Sequence, residues 1–65
     1  MADSPEVHIK AVQTHERAAE QHEKSAEYWE GQGDMERAQL QRELADYERL
    51  GAELERRWAD LTDGR

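Results

Sequence analysis

The residues best suited to chemistry are three histidines, which recur at intervals of seven as His8, His15 and His22. Imidazole side chains bind metal ions and exchange protons near neutral pH. Residues seven apart on one helix are separated by about 10.5 Å, whereas a zinc ion holds its ligands at about 2 Å. One helix therefore cannot gather these histidines around one ion. A metal or haem site would need ligands from a second chain.

The surrounding motifs do not complete a known active site. In the zinc-protease signature His-Glu-x-x-His, the position of the second histidine is occupied here by Ala19 or Ala26. The chain has no cysteine, and it contains no glycine-rich phosphate loop. We therefore expect no enzyme activity, no catalytic or cofactor-binding residue, no cofactor and no metal. The candidate ligands, should a metal bind, are His8, His15 and His22.

The first helix that must position these histidines has a clear start signal. Ser4, Pro5 and Glu6 are typical of an N-cap, a proline at the first helical position and an acid in the first turn. Helical composition then continues without a break to Glu30. We predict a helix over residues 5–30.

A glycine-rich segment separates this helix from a second one. Gly31 is predicted to be the left-handed C-terminal cap, and Asp34 is predicted to be the N-cap of the second helix. No segment alternates with a period of two, so we expect no strands. We predict a turn over residues 31–33 and a helix over residues 35–62, so that the chain is a single all-α domain, an antiparallel two-helix hairpin.

Both helices consist of seven-residue repeats, which predict helices that supercoil against one another. On the second helix, alanines at intervals of seven adjoin a seam of large apolar residues, and together they span about 220°. One partner helix covers only a narrow seam, so we predict that two hairpins form a homodimeric four-helix bundle. The predicted interface residues are Trp29, Leu40, Leu44, Tyr47, Leu54, Trp58 and Leu61.

The antiparallel register sets a residue of the second helix opposite each histidine: Leu44 near His22, Gly51 near His15 and Trp58 near His8. A glycine in mid-helix costs about 1 kcal/mol, and we interpret Gly51 as making room for the imidazole of His15. Among alanines and leucines without acidic partners, we expect the three imidazoles to be neutral, and stability to be lost in mild acid. Carboxylates from a second chain would reverse this trend.

Composition limits the classes of partner. The chain has 16 acidic and 9 basic residues, a formal net charge of −7, whereas binding to nucleic acid or anionic membrane requires lysine and arginine. We expect no nucleic acid and no membrane partner, although a basic protein fits this charge. No apolar run approaches the roughly 20 residues of a membrane span, and the N-terminal residues lack the pattern of a signal peptide. We expect a cytoplasmic protein.

The turn carries one family resemblance. Trp29-Glu30-Gly31 resembles the Trp-x-Gly turn of the small helical-hairpin substrates of type VII secretion. In that family the tryptophan ends the first helix, the glycine begins the turn, and hairpins pair into four-helix bundles. This chain is markedly shorter, and neither Tyr28 nor Tyr47 is followed four residues later by the acid of that family's export signal.

Two main classes of function follow. The first, which we favour, is a small acidic, non-enzymatic module for protein–protein interaction or assembly that self-associates through its helices. The alternative is a regulator or inhibitor that docks a basic protein partner, or a small hairpin like those of type VII secretion. A histidine-based metal-binding bundle is the remaining hypothesis.

Overall fold

The computed structural model describes residues 5–62, which form two helices packed against each other as a hairpin. Helix α1 spans Pro5–Gly31 and helix α2 spans Met35–Thr62. The hairpin is a rod with Cα extents of 50 × 14 × 13 Å. The predicted all-α hairpin is confirmed. The predicted N-cap at Ser4 lies outside the described residues.

A Schellman motif closes the end of α1. The N–H of Asp34 donates to the carbonyl of Trp29 at 2.9 Å, and the N–H of Gly33 donates to the carbonyl of Glu30 at 3.0 Å. Gly33 takes the left-handed conformation that this motif requires, with φ +79°. The prediction of a left-handed Gly31 is wrong, because Gly31 continues the helix and the reversal occurs two residues later.

Asp34 also begins α2, as its residue type predicted. The N–H of Arg37 donates to Oδ1 of Asp34 at 3.0 Å, and the Arg37 guanidinium pairs with the other carboxylate oxygen. The backbone hydrogen bond, and after it the side-chain hydrogen bond, lower the pKa of Asp34 from its usual value of 3.8. The carbonyl of Asp34 accepts the first hydrogen bond of α2, from the N–H of Ala38 at 3.1 Å.

The core between the helices is made almost entirely of alanine. The buried residues recur at intervals of seven on each helix: Val12, Ala19 and Ala26 on α1, and Ala38, Ala45, Ala52 and Ala59 on α2. Small side chains allow two helix backbones to approach closely. Among the described residues, no large side chain is fully buried. The hairpin therefore leaves its large apolar side chains outside its own core.

Candidate functional site

One face of the hairpin is a ladder of ion pairs between the helices. Three glutamates of α1 pair with three arginines of α2, again at intervals of seven: Glu16 with Arg56, Glu23 with Arg49 at 2.8 Å, and Glu30 with Arg42 at 3.0 Å. The hydrogen bond from Arg49 to Glu23 is the main cause that raises the pKa of Arg49. We did not predict this ladder. The sequence does carry a signal that predicts it, because the glutamates of α1 and the arginines of α2 recur with the same spacing of seven residues.

The opposite face carries the histidines, and each imidazole is bonded to α2. The Nδ1–H of each ring donates to a side-chain oxygen: His8 to Glu55 at 2.6 Å, His15 to Glu48 at 2.7 Å, and His22 to Gln41 at 2.7 Å. A carboxylate or amide oxygen only accepts, so Nδ1 carries the hydrogen in these bonds. The prediction of imidazoles without acidic partners is wrong for His8 and His15. Their carboxylates belong to the same chain.

The contact between His15 and Gly51 confirms the predicted register. A Cβ atom added at Gly51 would lie 2.8 Å from Cε1, 2.9 Å from Nε2 and 3.0 Å from Nδ1 of the His15 ring. The ring therefore occupies the space that any side chain at position 51 would need. The same register places the ring of His8 beside that of Trp58, with 5.7 Å between centroids.

A row of large apolar side chains on α2 borders the histidines. The open depression beside His15 is lined also by Tyr47, Leu50, Gly51, Leu54 and Glu55. Six of the predicted interface residues are between 42% and 71% exposed. We call these six residues the apolar face: Leu40, Leu44, Tyr47, Leu54, Trp58 and Leu61.

The seventh predicted interface residue, Trp29, lies at the closed end of the hairpin and is partly buried there. Its ring contacts that of Tyr28 edge-on, with 5.1 Å between centroids. The guanidinium carbon of Arg37 lies 5.1 Å from the centroid of the Trp29 ring, a cation–π contact. Trp29 therefore has its intrachain partners at the turn, away from the six residues of the apolar face.

Beside the histidines, α1 presents only small side chains. Ala11, Ala18 and Ser25 each follow a histidine by three residues, which makes them its neighbours on the helix surface. All three are partly exposed. This side of the hairpin therefore combines large, exposed residues on α2 with small, partly exposed residues on α1.

The histidines do not gather around a common point. Within residues 5–62, no group of three or more histidine, aspartate or glutamate side chains could hold one metal ion. Neither helix in this range has an 18-residue stretch apolar enough to cross a membrane. Comparisons of the chain with protein-family models, curated proteins and solved structures find no match.

Proposed function

We propose that this chain is a non-enzymatic assembly module that self-associates through its apolar face, so that two hairpins form a four-helix bundle. The exposure of the apolar face carries the proposal. The hairpin uses alanines for its own core and leaves Leu54 50% exposed and Tyr47 68% exposed. Contiguous exposed apolar patches on small proteins mark sites of association.

The energetics favour covering this face. Fully burying a leucine-sized side chain is worth about 1.5–3 kcal/mol, so covering the exposed half of each such residue contributes about 1 kcal/mol. A chain of 65 residues with no cysteine lacks disulfides, and small domains of this kind commonly reach stability through oligomerisation. A second hairpin supplies the missing burial.

We favour a second copy over an unrelated partner, because one side of the hairpin carries both a row of large apolar side chains on α2 and a row of small ones on α1. In the proposed dimer, the apolar face of each copy packs on Ala11, Ala18 and Ser25 of the other copy, a two-fold arrangement in which both chains contribute the same surface. None of the six residues of the apolar face is charged. The ladder of ion pairs lies on the opposite face, outside the proposed dimer interface. This placement limits the repulsion between two chains that each carry a net charge of −7.

Two matched variants test the proposal. Leu54 and Ile9 are both 50% exposed, but Ile9 lies beside Arg56 and Asp60, away from the apolar face. In sedimentation velocity at micromolar concentration, we expect Leu54→Asp to be monomeric and to lose helicity. Ile9→Asp should remain dimeric. Equal dissociation of both variants, or a native protein that is a folded monomer, would overturn the proposal.

The second candidate function is a regulator that docks a basic protein, with a helix of that partner replacing the second hairpin. The excess of acidic residues supports it. Such a subunit would be poorly helical alone and would gain helicity when its basic partner is added. Circular dichroism of the isolated chain separates the two functions, because the self-associating module is strongly helical without a partner.

A further inference from the structure

We infer that self-association is coupled to proton uptake, because two histidine–carboxylate pairs lie in the surface that a second copy covers. This inference rests on the proposed function and concerns the regulation of the same surface. The pairs are His8 with Glu55 and His15 with Glu48, and each joins α1 to α2. Assembly should therefore strengthen as the pH falls.

The pairs are part of the apolar surface. The ring of Trp58 packs against that of His8, while Tyr47 and Leu54 line the depression that holds His15. The His15 and Glu48 side chains are still 32% and 20% exposed in the hairpin. Water therefore reaches both groups in the single chain, and a second hairpin over the apolar face would displace that water.

Once this water is removed, the net charge of each pair affects the free energy of association. With a neutral imidazole, a pair carries the single negative charge of its carboxylate, and burial of an uncompensated charge is costly. With a protonated imidazole, the pair has no net charge and its hydrogen bond becomes charge-assisted. Because the covered state favours the second form, proton binding and assembly reinforce each other.

The arginines that follow the two carboxylates in sequence are paired elsewhere. Glu48 and Glu55 are followed in sequence by Arg49 and Arg56, but these arginines bond Glu23 and Glu16 on the opposite face. Glu55 also lines the depression beside His15 and adds to the negative charge there. The positive charges of Arg49 and Arg56 therefore offset glutamates of α1 and do not offset Glu48 and Glu55.

The third histidine provides an internal contrast. His22 donates to Gln41, whose amide carries no charge. Covering this pair buries no anion, and protonating His22 there would create an uncompensated charge. We therefore assign the proton uptake to His8 and His15 and exclude His22.

The test is the dissociation constant of the dimer, measured by sedimentation equilibrium between about pH 7.5 and 5.5, the range in which histidine titrates. Uptake of one proton per dimer changes this constant about tenfold per pH unit. We therefore expect the dissociation constant of the native dimer to fall at least about tenfold for each unit by which the pH is lowered. In the double variant Glu48→Gln, Glu55→Gln, whose side chains keep the acceptor oxygen, each histidine faces a neutral amide as His22 does, so acidification should weaken the dimer instead of strengthening it.

Acidification also lowers the overall negative charge, so a charge-matched control is needed. Glu20→Gln, Glu53→Gln removes the same two charges from exposed positions, and Glu20 lies on the opposite face beside Arg49 and Arg56. This control should keep the native pH dependence. Should the Glu48 and Glu55 variant not fold, calorimetric dilution of the native dimer in buffers of different ionisation enthalpy measures the released protons directly.

The outcomes separate this inference from the proposed function. A native dimer with a pH-independent dissociation constant, or without proton release on dilution, overturns proton coupling and leaves the assembly module standing. A loss of pH dependence in the charge-matched control assigns the effect to overall charge and also overturns it. A native chain that is monomeric at every pH overturns the proposed function itself.

Discussion

Replacing Gly51 by alanine tests the packing of the hairpin at one point. Alanine is favoured over glycine in a helix interior by about 1 kcal/mol, so the substitution should stabilise a solvent-exposed position. In this structure, the new Cβ would lie 2.8 Å from Cε1 of His15. Contacts this short require the imidazole to move.

The cost of that movement follows from the contacts of His15. The displaced ring loses its hydrogen bond to Glu48 at 2.7 Å, and a hydrogen bond to a charged group contributes about 1.5–3 kcal/mol. The pair is partly exposed, so the lower end of this range applies. Subtracting the propensity gain of about 1 kcal/mol, we expect Gly51→Ala to destabilise the native protein by about 0.5–1 kcal/mol.

A double-mutant cycle isolates this contact. In a His15→Ala background the obstacle is gone, so Gly51→Ala should now stabilise by about 1 kcal/mol. The coupling between the two sites is then about 1.5–2 kcal/mol. Urea denaturation of the four proteins, followed by circular dichroism at one fixed concentration, measures each free energy of unfolding. Stabilisation by about 1 kcal/mol in both backgrounds would refute the close packing of His15 on Gly51.

Four further substitutions test other parts of the structure. Gly33→Ala should destabilise by about 1–2 kcal/mol, because residue 33 is left-handed at φ +79°. Gly31→Ala, whose Cβ would meet no atom within 4 Å, should stabilise by up to about 1 kcal/mol in the same urea assay. Ala45→Leu should destabilise by about 1–3 kcal/mol through overpacking, because Ala45 is 0% exposed between the helices. The pKa of Asp34 is lowered in the folded state from its usual value of 3.8. The ionised carboxylate therefore contributes fully to folding stability above pH 3.8, and this contribution is lost as the pH falls through the lower folded-state pKa. Asp34→Asn keeps a capping oxygen and should abolish this part of the acid dependence, measured by thermal unfolding between about pH 5 and 2.

The hairpin and its register could be predicted from the sequence because several local signals agree. The spacing of seven gives each helix a fixed face, and the capping residue Asp34 marks the start of α2. Because a mid-helix glycine is costly, Gly51 indicated a position where a neighbouring side chain needs space. The contact of Gly51 with His15 agrees with that interpretation. At the turn, Gly31 and Gly33 are equivalent in residue type, and only the closure of the backbone hydrogen bonds selects Gly33.

The partners of the histidines could not be predicted from periodicity alone. Glu48 and Glu55 lie on α2 three residues after Ala45 and Ala52, between the alanine core and the solvent. A helical pattern cannot tell whether such a side chain points to water or across to the neighbouring helix. The bond of Glu48 to His15 becomes visible only when both helices are placed.

The division of the apolar arc of α2 also required the structure. In the sequence pattern, the alanines and the large apolar residues of α2 form one continuous arc of about 220°. The structure assigns the alanines to the contact with α1 and leaves Leu54 50% exposed. A stripe of small residues permits the closest approach of the two helices within one chain, and the large residues then remain available to a second chain.

Sedimentation equilibrium of the native protein, from about 1 to 100 μM, tests the proposed self-association most directly. We predict a species of twice the chain mass of 7.6 kDa at the high end of this range. On dilution it should shift towards the single chain and lose helicity, because the second hairpin supplies much of the burial. A single species of 7.6 kDa that stays fully helical at every concentration would contradict self-association through the apolar face.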